Sequence, residues 1–367
     1  MEEKASLGFI LGMIIGTIVT GTINTIGAKA QLKVVLKNSK EHYEHPYFQA
    51  MSPFFGMFPY VFIFFFIQYR DKEKYGNCLS PAELNSKRKG LSVIYNPLWF
   101  GFPIIFSTLS NILLSLGINN IQASIYQITM CTMLPWATFF SYIFLKKRYT
   151  VAQYFGIVMM ILGISMVGFN SIMYDKTPGD NNWFGITCVT VSMLFYAAFF
   201  IAEEKLIRKF HSNPFQIIGI EGAFGIGSYT IILIILYFIK CTPDKSVKFC
   251  KHGRIEDTPI ALSEIIDNPL LAMWVIITIT SIGGYNGFGI SLTKYASAVH
   301  RVAINTVRPF AVWIVCLLIG WEDFSWLQLF GFLITMYGMM LYYDFIPMKI
   351  WEVCTKKKES KLIKGKP

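Results

Sequence analysis

Two stretches decide the reading: VAQYFGIVMMILG, Val151–Gly163, and WLQLFGFLITMYG, Trp326–Gly338. Gln153, Phe155, Gly156 and Gly163 of the first recur as Gln328, Phe330, Gly331 and Gly338 of the second, at a constant offset of 175 residues. Each follows a charged or polar turn and opens an apolar run. A repeat of about half the chain, inside apolar sequence, is the mark of a transporter built from two related halves.

Composition agrees with a membrane setting. Hydrophobic residues make up 54% of the 367 and charged residues 15%, against roughly 25% charged in a soluble domain. The net charge of +11 could suit nucleic acid, but most Lys and Arg sit in short clusters between apolar runs. No nucleic-acid partner is expected; the lipid bilayer is.

The expected fold is an all-α membrane protein of ten spans, each near the ~20 residues that cross a bilayer. The spans run Leu7–Ala28, Phe48–Tyr69, Pro97–Leu116, Ala123–Leu145, Val151–Phe169, Trp183–Ala202, Phe215–Ile239, Pro269–Gly289, Val299–Ile319 and Trp326–Tyr343. Spans three and eight are the weakest, being interrupted by Pro or Gly. The first is too long for a signal-peptide core and reads as retained. Residues 1–169 form one five-helix repeat, 170–182 a linker, 183–345 the second repeat and 346–367 a basic tail. Five is odd, so the halves enter the membrane from opposite sides and the repeat is inverted.

Basic clusters at Arg70–Lys74, Lys87–Lys89, Lys146–Arg148, Lys205–Lys209 and Lys356–Lys366 fall on one side of such a chain. The positive-inside rule makes that side cytosolic, with both termini. The loop carrying Lys240, Lys245, Lys248, Lys251 and Arg254 dissents. It also holds Cys241 and Cys250, the one pair placed for oxidation, and ALSEII (261–266), a candidate surface helix.

Ionisable residues inside spans carry the functional signal, because each costs roughly 2.5–3.5 kcal/mol at mid-depth. Arg308 lies near the centre of span nine, and Arg301 and Asn305 share its face at i, i+4, i+7 spacing. Arg308 either binds an anionic group of a solute by forked hydrogen bonds, or it neutralises a fixed carboxylate or caps carbonyls freed at Pro309. Glu221 of span seven is the candidate counter-charge to Arg301, the two forming a gate. Thr17, Thr20, Gly21 and Asn24 make a polar seam on span one, with Lys29 at its end. Tyr126, Gln127 and Thr129 of span four, and Thr278, Ser281, Tyr285 and Asn286 of span eight, add hydroxyls and amides. Glu203-Glu204-Lys205 reads as a solvated helix end or a cytosolic gate.

Enzyme chemistry finds no footing: there is no GxSxG, HExxH or paired-Asp cluster, and no phosphate-binding GxxxxGK[ST] loop. His42 and His45 have metal-like types with no further ligands nearby. No metal and no cofactor are expected.

GTINTIGAK (21–29), SKEH (39–42) with His45 and Gln49, EEK (203–205), EGAFG (221–225), GISLTK (289–294), GWE (320–322) and LQLFGFL (327–333) together resemble the drug/metabolite transporter superfamily. The similarity is to its nucleotide-sugar-transporter-like branch, solute carrier family thirty-five subfamily F. The resemblance implies ten helices, an inverted five-plus-five repeat and a central cavity, lined by analogy by Asn24, Gln127, Asn286, Asn305 and Arg308. Span four differs: the family looks like Gln-Met-Leu-Arg-Gly where this chain reads QITMC (127–131). ESKLI (359–363) is one residue shorter than an acidic di-leucine signal, which with the resemblance inclines the placement to a lysosome-like endomembrane.

The expected function is secondary transport of a polar organic solute, anionic on the reading in which Arg308 binds it, by alternating access. The alternative is a membrane scaffold that binds partners and moves nothing. A transporter needs a polar seam converging near mid-membrane; a scaffold can fill that centre with apolar side chains. A homodimer is an open expectation, since glycine faces at Gly8, Gly12 and Gly16 can pack within one chain or between two.

Overall fold

The computed structural model describes residues 7–36, 43, 45–75, 84, 87, 90, 96–118, 129–130, 132–174, 183–210, 213–240, 253–321 and 324–342. Gln127, Cys241, Cys250, His42 and the basic tail lie outside them.

Helices account for nearly all of the described chain. They are α1 (Leu7–Lys33), α2 (Pro46–Gln49), α3 (Ser52–Met57), α4 (Tyr60–Tyr75), α5 (Gly101–Ile118), α6 (Met133–Leu145) and α7 (Val151–Tyr174). Then follow α8 (Trp183–Lys209), α9 (Pro214–Phe238), α10 (Thr258–Asp267), α11 (Pro269–Tyr295), α12 (Ala298–Ile319) and α13 (Trp326–Tyr342). Among the described residues, six helical segments are long and apolar enough to cross a membrane, and shorter apolar helices run over Leu98–Leu114, Met133–Leu145, Val151–Val167 and Trp326–Tyr342. Outward faces are apolar: Phe66 is 68% and Leu318 82% exposed, as expected of side chains that meet lipid.

Local sequence sets the breaks. The second span is three helical pieces, because Pro53 opens α3 and Pro59 precedes α4, and proline cannot supply the N–H that would continue the previous turn. Asn213 accepts the N–H of Phe215 at 3.1 Å and starts α9 with Pro214 in its first turn. Span eight, marked as interrupted by its glycines, is instead one continuous 27-residue helix, α11. Gly283 and Gly287 lie within it where Gly56 and Tyr60 press against it. The glycines therefore serve close approach rather than a break. Span six runs to Lys209, beyond the expected end at Ala202.

The quoted stretches meet each other. Helices α7 and α13 cross antiparallel, with Gly156 on Gly338 and Gly163 on Gly331. A methyl added at Gly156 would lie 2.6 Å from the Gly338 carbonyl oxygen, and one at Gly338 would lie 2.6 Å from that of Gly156. Elsewhere α1 packs on α11 and α12, α5 and α6 pack on α8, and α3 and α4 pack on α9.

At one end of the bundle, the segment after α1 meets α10. ALSEII is helical, as the sequence suggests, within α10, whose first turn is closed by Asp257. His45 Nδ1 lies 2.6 Å from Glu256 Oε1, and its Nε2 lies 3.3 Å from Glu264 Oε2. Val34, Leu36, Tyr43 and Leu271 form a small apolar cluster beside them. Burial, then the charges of Glu256 and Glu264, push the Tyr43 phenol well above its ordinary value.

Candidate functional site

The site is read most easily along α11. Thr278, Ser281, Tyr285 and Gly289 recur at helical spacing and share one face. Each meets polar groups from a neighbouring helix or its own turn.

Near the capped end, Gln31 donates to Thr278 Oγ1 at 2.7 Å, and Gln49 donates to Gln31 Oε1 at 3.0 Å. Asn24 donates to the Thr278 carbonyl at 3.2 Å. These bonds tie α1 and α2 to α11. Asn24 is thus half-buried in the α1–α11 seam.

Arg308 sits one step along. Its guanidinium lies 5.4 Å from the Tyr285 ring centroid, and its Cδ occupies the space a side chain at Gly21 would take. Arg308 is half-buried and has no hydrogen bond or ion pair among the described residues. Asn305, one turn before it, has a buried Oδ1 that is likewise unpartnered. Lys29 Nζ, on α1, lies 3.9 Å from Cys316 Sγ.

At the other end is a charged cluster. Arg301 is 2% exposed. Its Nη1 donates to Glu203 Oε2 at 3.0 Å and its Nη2 to Asn286 Oδ1 at 3.1 Å. The guanidinium lies 4.4 Å from the Phe200 ring centroid, a cation–π contact. Gly289 is what lets Arg301 lie so close to α11, since a methyl there would come 2.5 Å from Nε.

Glu204 completes the cluster on its other side. Lys147 lies 2.5 Å and Arg208 2.8 Å from its Oε1, and its Oε2 accepts the Ala298 N–H at 2.8 Å. A carboxylate at that point also complements the positive end of α12. The expectation of a solvated Glu203-Glu204 terminus is overturned: both are buried, at 1% and 0% exposed. The cause is the extra length of α8, which carries the pair under the first turns of α12.

Glu221 is buried in α9, with Glu203 and Arg301 as its electrostatic neighbours. The hydrogen-bonded carboxylate of Arg301, however, is Glu203. Asn286 and Glu203 therefore come together on Arg301, with Glu221 in the field of the pair. Asn24, Asn305 and Arg308 lie on the helices of the α1–α11–α12 seam. Local spacing carried no signal for Glu203, because its partner is 98 residues away. An open cleft on α4, at Phe65, Gln68, Tyr69 and Lys72, shares no residue with this site.

Residues 19–237, more than half of the chain, match the nucleotide-sugar transporter family model. The chain belongs to the nucleotide-sugar transporter family. It is 29% identical to human solute carrier family 35 member F6 over 91% of this chain and 88% of that protein. It is 26% identical to UDP-galactose translocator 1 of Caenorhabditis elegans over 31% of this chain and 34% of that one. A solved crystal structure with 11% identity superposes at a TM-score of 0.57, covering 94% of this chain and 100% of the other, which speaks to fold alone. The chain is thus an integral membrane solute transporter and not an enzyme, in the branch that its sequence resembles.

Proposed function

We propose that this member of the family moves a polar, anionic organic solute of the sugar-nucleotide class across an endomembrane by alternating access. Arg308 carries the reading. It is a guanidinium on a membrane-spanning helix, half-buried between α1, α11 and α12, with no carboxylate committed to it among the described residues. A cation so placed is expensive unless an anion visits it. The forked donors of arginine suit a phosphate. Asn24, Gln127, Asn286 and Asn305 are the proposed amide liners, and Tyr285 gives a face on which a ring can stack.

The inverted five-plus-five repeat belongs to the same proposal. An offset of 175 residues takes Gly156 to Gly331 and Gly163 to Gly338. Gly156 meets Gly338 and Gly163 meets Gly331, so each contact is the image of the other. The same offset takes the α1–α11 contact to the α8–α5 contact. Both patterns support two halves, 1–169 and 183–345, related by a two-fold axis. The six long and the shorter apolar helices fit ten crossings with both termini cytosolic. In this frame the Glu203–Arg301 and Glu204–Lys147 pairs bolt the cytosolic side, with Glu221 beside them. The Gln31–Gln49–Thr278 network closes the other.

The polar face of α11 weighs against the scaffold alternative, which needs no such seam. Thermal stabilisation of the purified protein by UDP-galactose and related sugar nucleotides tests the reading. A ligand that binds the folded state raises its melting temperature. Stabilisation lost in Arg308→Ala supports the site; equal stabilisation in both chains removes Arg308 from it.

A further inference from the structure

The bundle holds a titratable group that the solute seam does not use. Glu221 is 1% exposed, and its Oε1 has no hydrogen-bond partner among the described residues. Arg301 Nε is also buried and unpartnered. The charges that act on Glu221 come from Glu203 on α8 and Arg301 on α12. Glu204 cannot relieve it, being held by Lys147, Arg208 and the Ala298 N–H. Asn286, from α11, accepts from Arg301 rather than donating to a carboxylate.

Two buried carboxyl groups therefore lie in the field of one guanidinium, which is bonded to Glu203 alone of the two. With both ionised, the group carries an uncompensated negative charge inside a membrane bundle, an expensive state. One proton cancels it. Glu203 is stabilised as a carboxylate by its bond to Arg301, whereas Glu221 has no partner at its buried Oε1, so Glu221 is the carboxyl to take that proton.

We propose that Glu203, Glu221 and Arg301 form a proton-binding site in which Glu221 takes up and releases the proton. On release, the carboxyl O–H bond breaks and the proton passes to water. The carboxylate left behind is compensated by the unpartnered Nε side of Arg301. Arg301 is then drawn from Asn286, which adjoins Tyr285 and hence the Arg308 seam. Proton loading and the packing of the solute seam are coupled through that one side chain. This coupling makes the proton a co-transported or exchanged ion, and only this last step rests on the transport reading.

The test is infrared difference spectroscopy between acid and alkaline states of the full-length protein in liposomes, with no solute present. Wild type is expected to show the C=O band of a titrating buried carboxyl. Glu221→Gln is expected to lose that band, and Glu203→Gln to keep it with its midpoint moved to lower pH, since Arg301 then compensates Glu221 alone. An unchanged difference spectrum in Glu221→Gln overturns the site. Should that variant fail to fold, Glu221→Asp serves: the band must move in frequency or midpoint, and an identical band overturns the proposal. Asn286→Ala, which frees Arg301, is expected to shift the midpoint. An unmoved midpoint overturns the link to the solute seam and leaves the proton site standing. Because the spectrum needs no solute, failure of the proton site and failure of transport are separate results.

Discussion

Replacing Arg301 with Met removes the cation at the centre of the charged cluster while keeping most of its length and apolar contact. The structure sets the magnitude. Glu203, 1% exposed, loses its 3.0 Å partner, and Asn286 Oδ1 loses its 3.1 Å donor. Removing one member of a buried ion pair destabilises by about 3–5 kcal/mol, chiefly because the remaining charge is stranded. That is roughly a hundredfold to a few thousandfold increase in the unfolded fraction, at tenfold per 1.4 kcal/mol. Glu203→Gln alone should be milder, because Arg301 then has Glu221 within its field. Combining Glu203→Gln with Arg301→Met should recover most of the loss, since the stranded charge is gone. The assay is thermal unfolding of the detergent-solubilised protein, followed by size-exclusion fluorescence, for the four members of the cycle. Arg301→Met melting with the wild type, or a double variant worse than either single one, refutes the argument that the pair is a buried, mutually compensating unit.

Other outcomes follow from particular contacts. Gly163→Val, with its branched carbon driven into the Gly331 backbone where α7 crosses α13, should abolish recovery of folded protein. Gly8→Val, which meets open space, should be recovered normally in the same expression test. Ser110 and Ser192 each donate to the other's carbonyl at 2.9 Å; Ser110→Ala should cost about 0.6 kcal/mol, the mean for such bonds in membranes, read as a small drop in melting temperature. Burial pushes the Tyr149 phenol up to about 12 from an ordinary ~10. The folded state thus holds that proton more tightly, so stability is lost as pH rises from about 10 to 12, and Tyr149→Phe should flatten that part of the melting-temperature profile.

What the sequence made legible was whatever repeats locally or breaks a local rule. The glycine register of Gln153–Gly163 and Gln328–Gly338 is visible because α7 and α13 need small residues where they cross. Arg301 and Arg308 stand out because charge is costly in an apolar run. ALSEII shows helical spacing without help from the rest of the chain. What stayed hidden is pairing over long separations. Glu203 looks like the end of a span, and only the onward run of α8 to Lys209 brings it beneath α12. His45 and Glu256 lie 211 residues apart, so nothing near either announces the other. The three pieces of the second span were equally hard to foresee. Pro53 and Pro59 mark where bends are allowed, but nothing local shows that Gly56 between them packs against α11.

The most direct test of the central claim is uptake of radiolabelled sugar nucleotides by proteoliposomes preloaded with the same unlabelled compound, for wild type and Arg308→Ala. The account predicts saturable, time-dependent accumulation by wild type of at least one compound, and none of it by Arg308→Ala reconstituted at equal amount. Uptake by Arg308→Ala at the wild-type rate, or a wild-type protein that moves none of the sugar nucleotides, would contradict it.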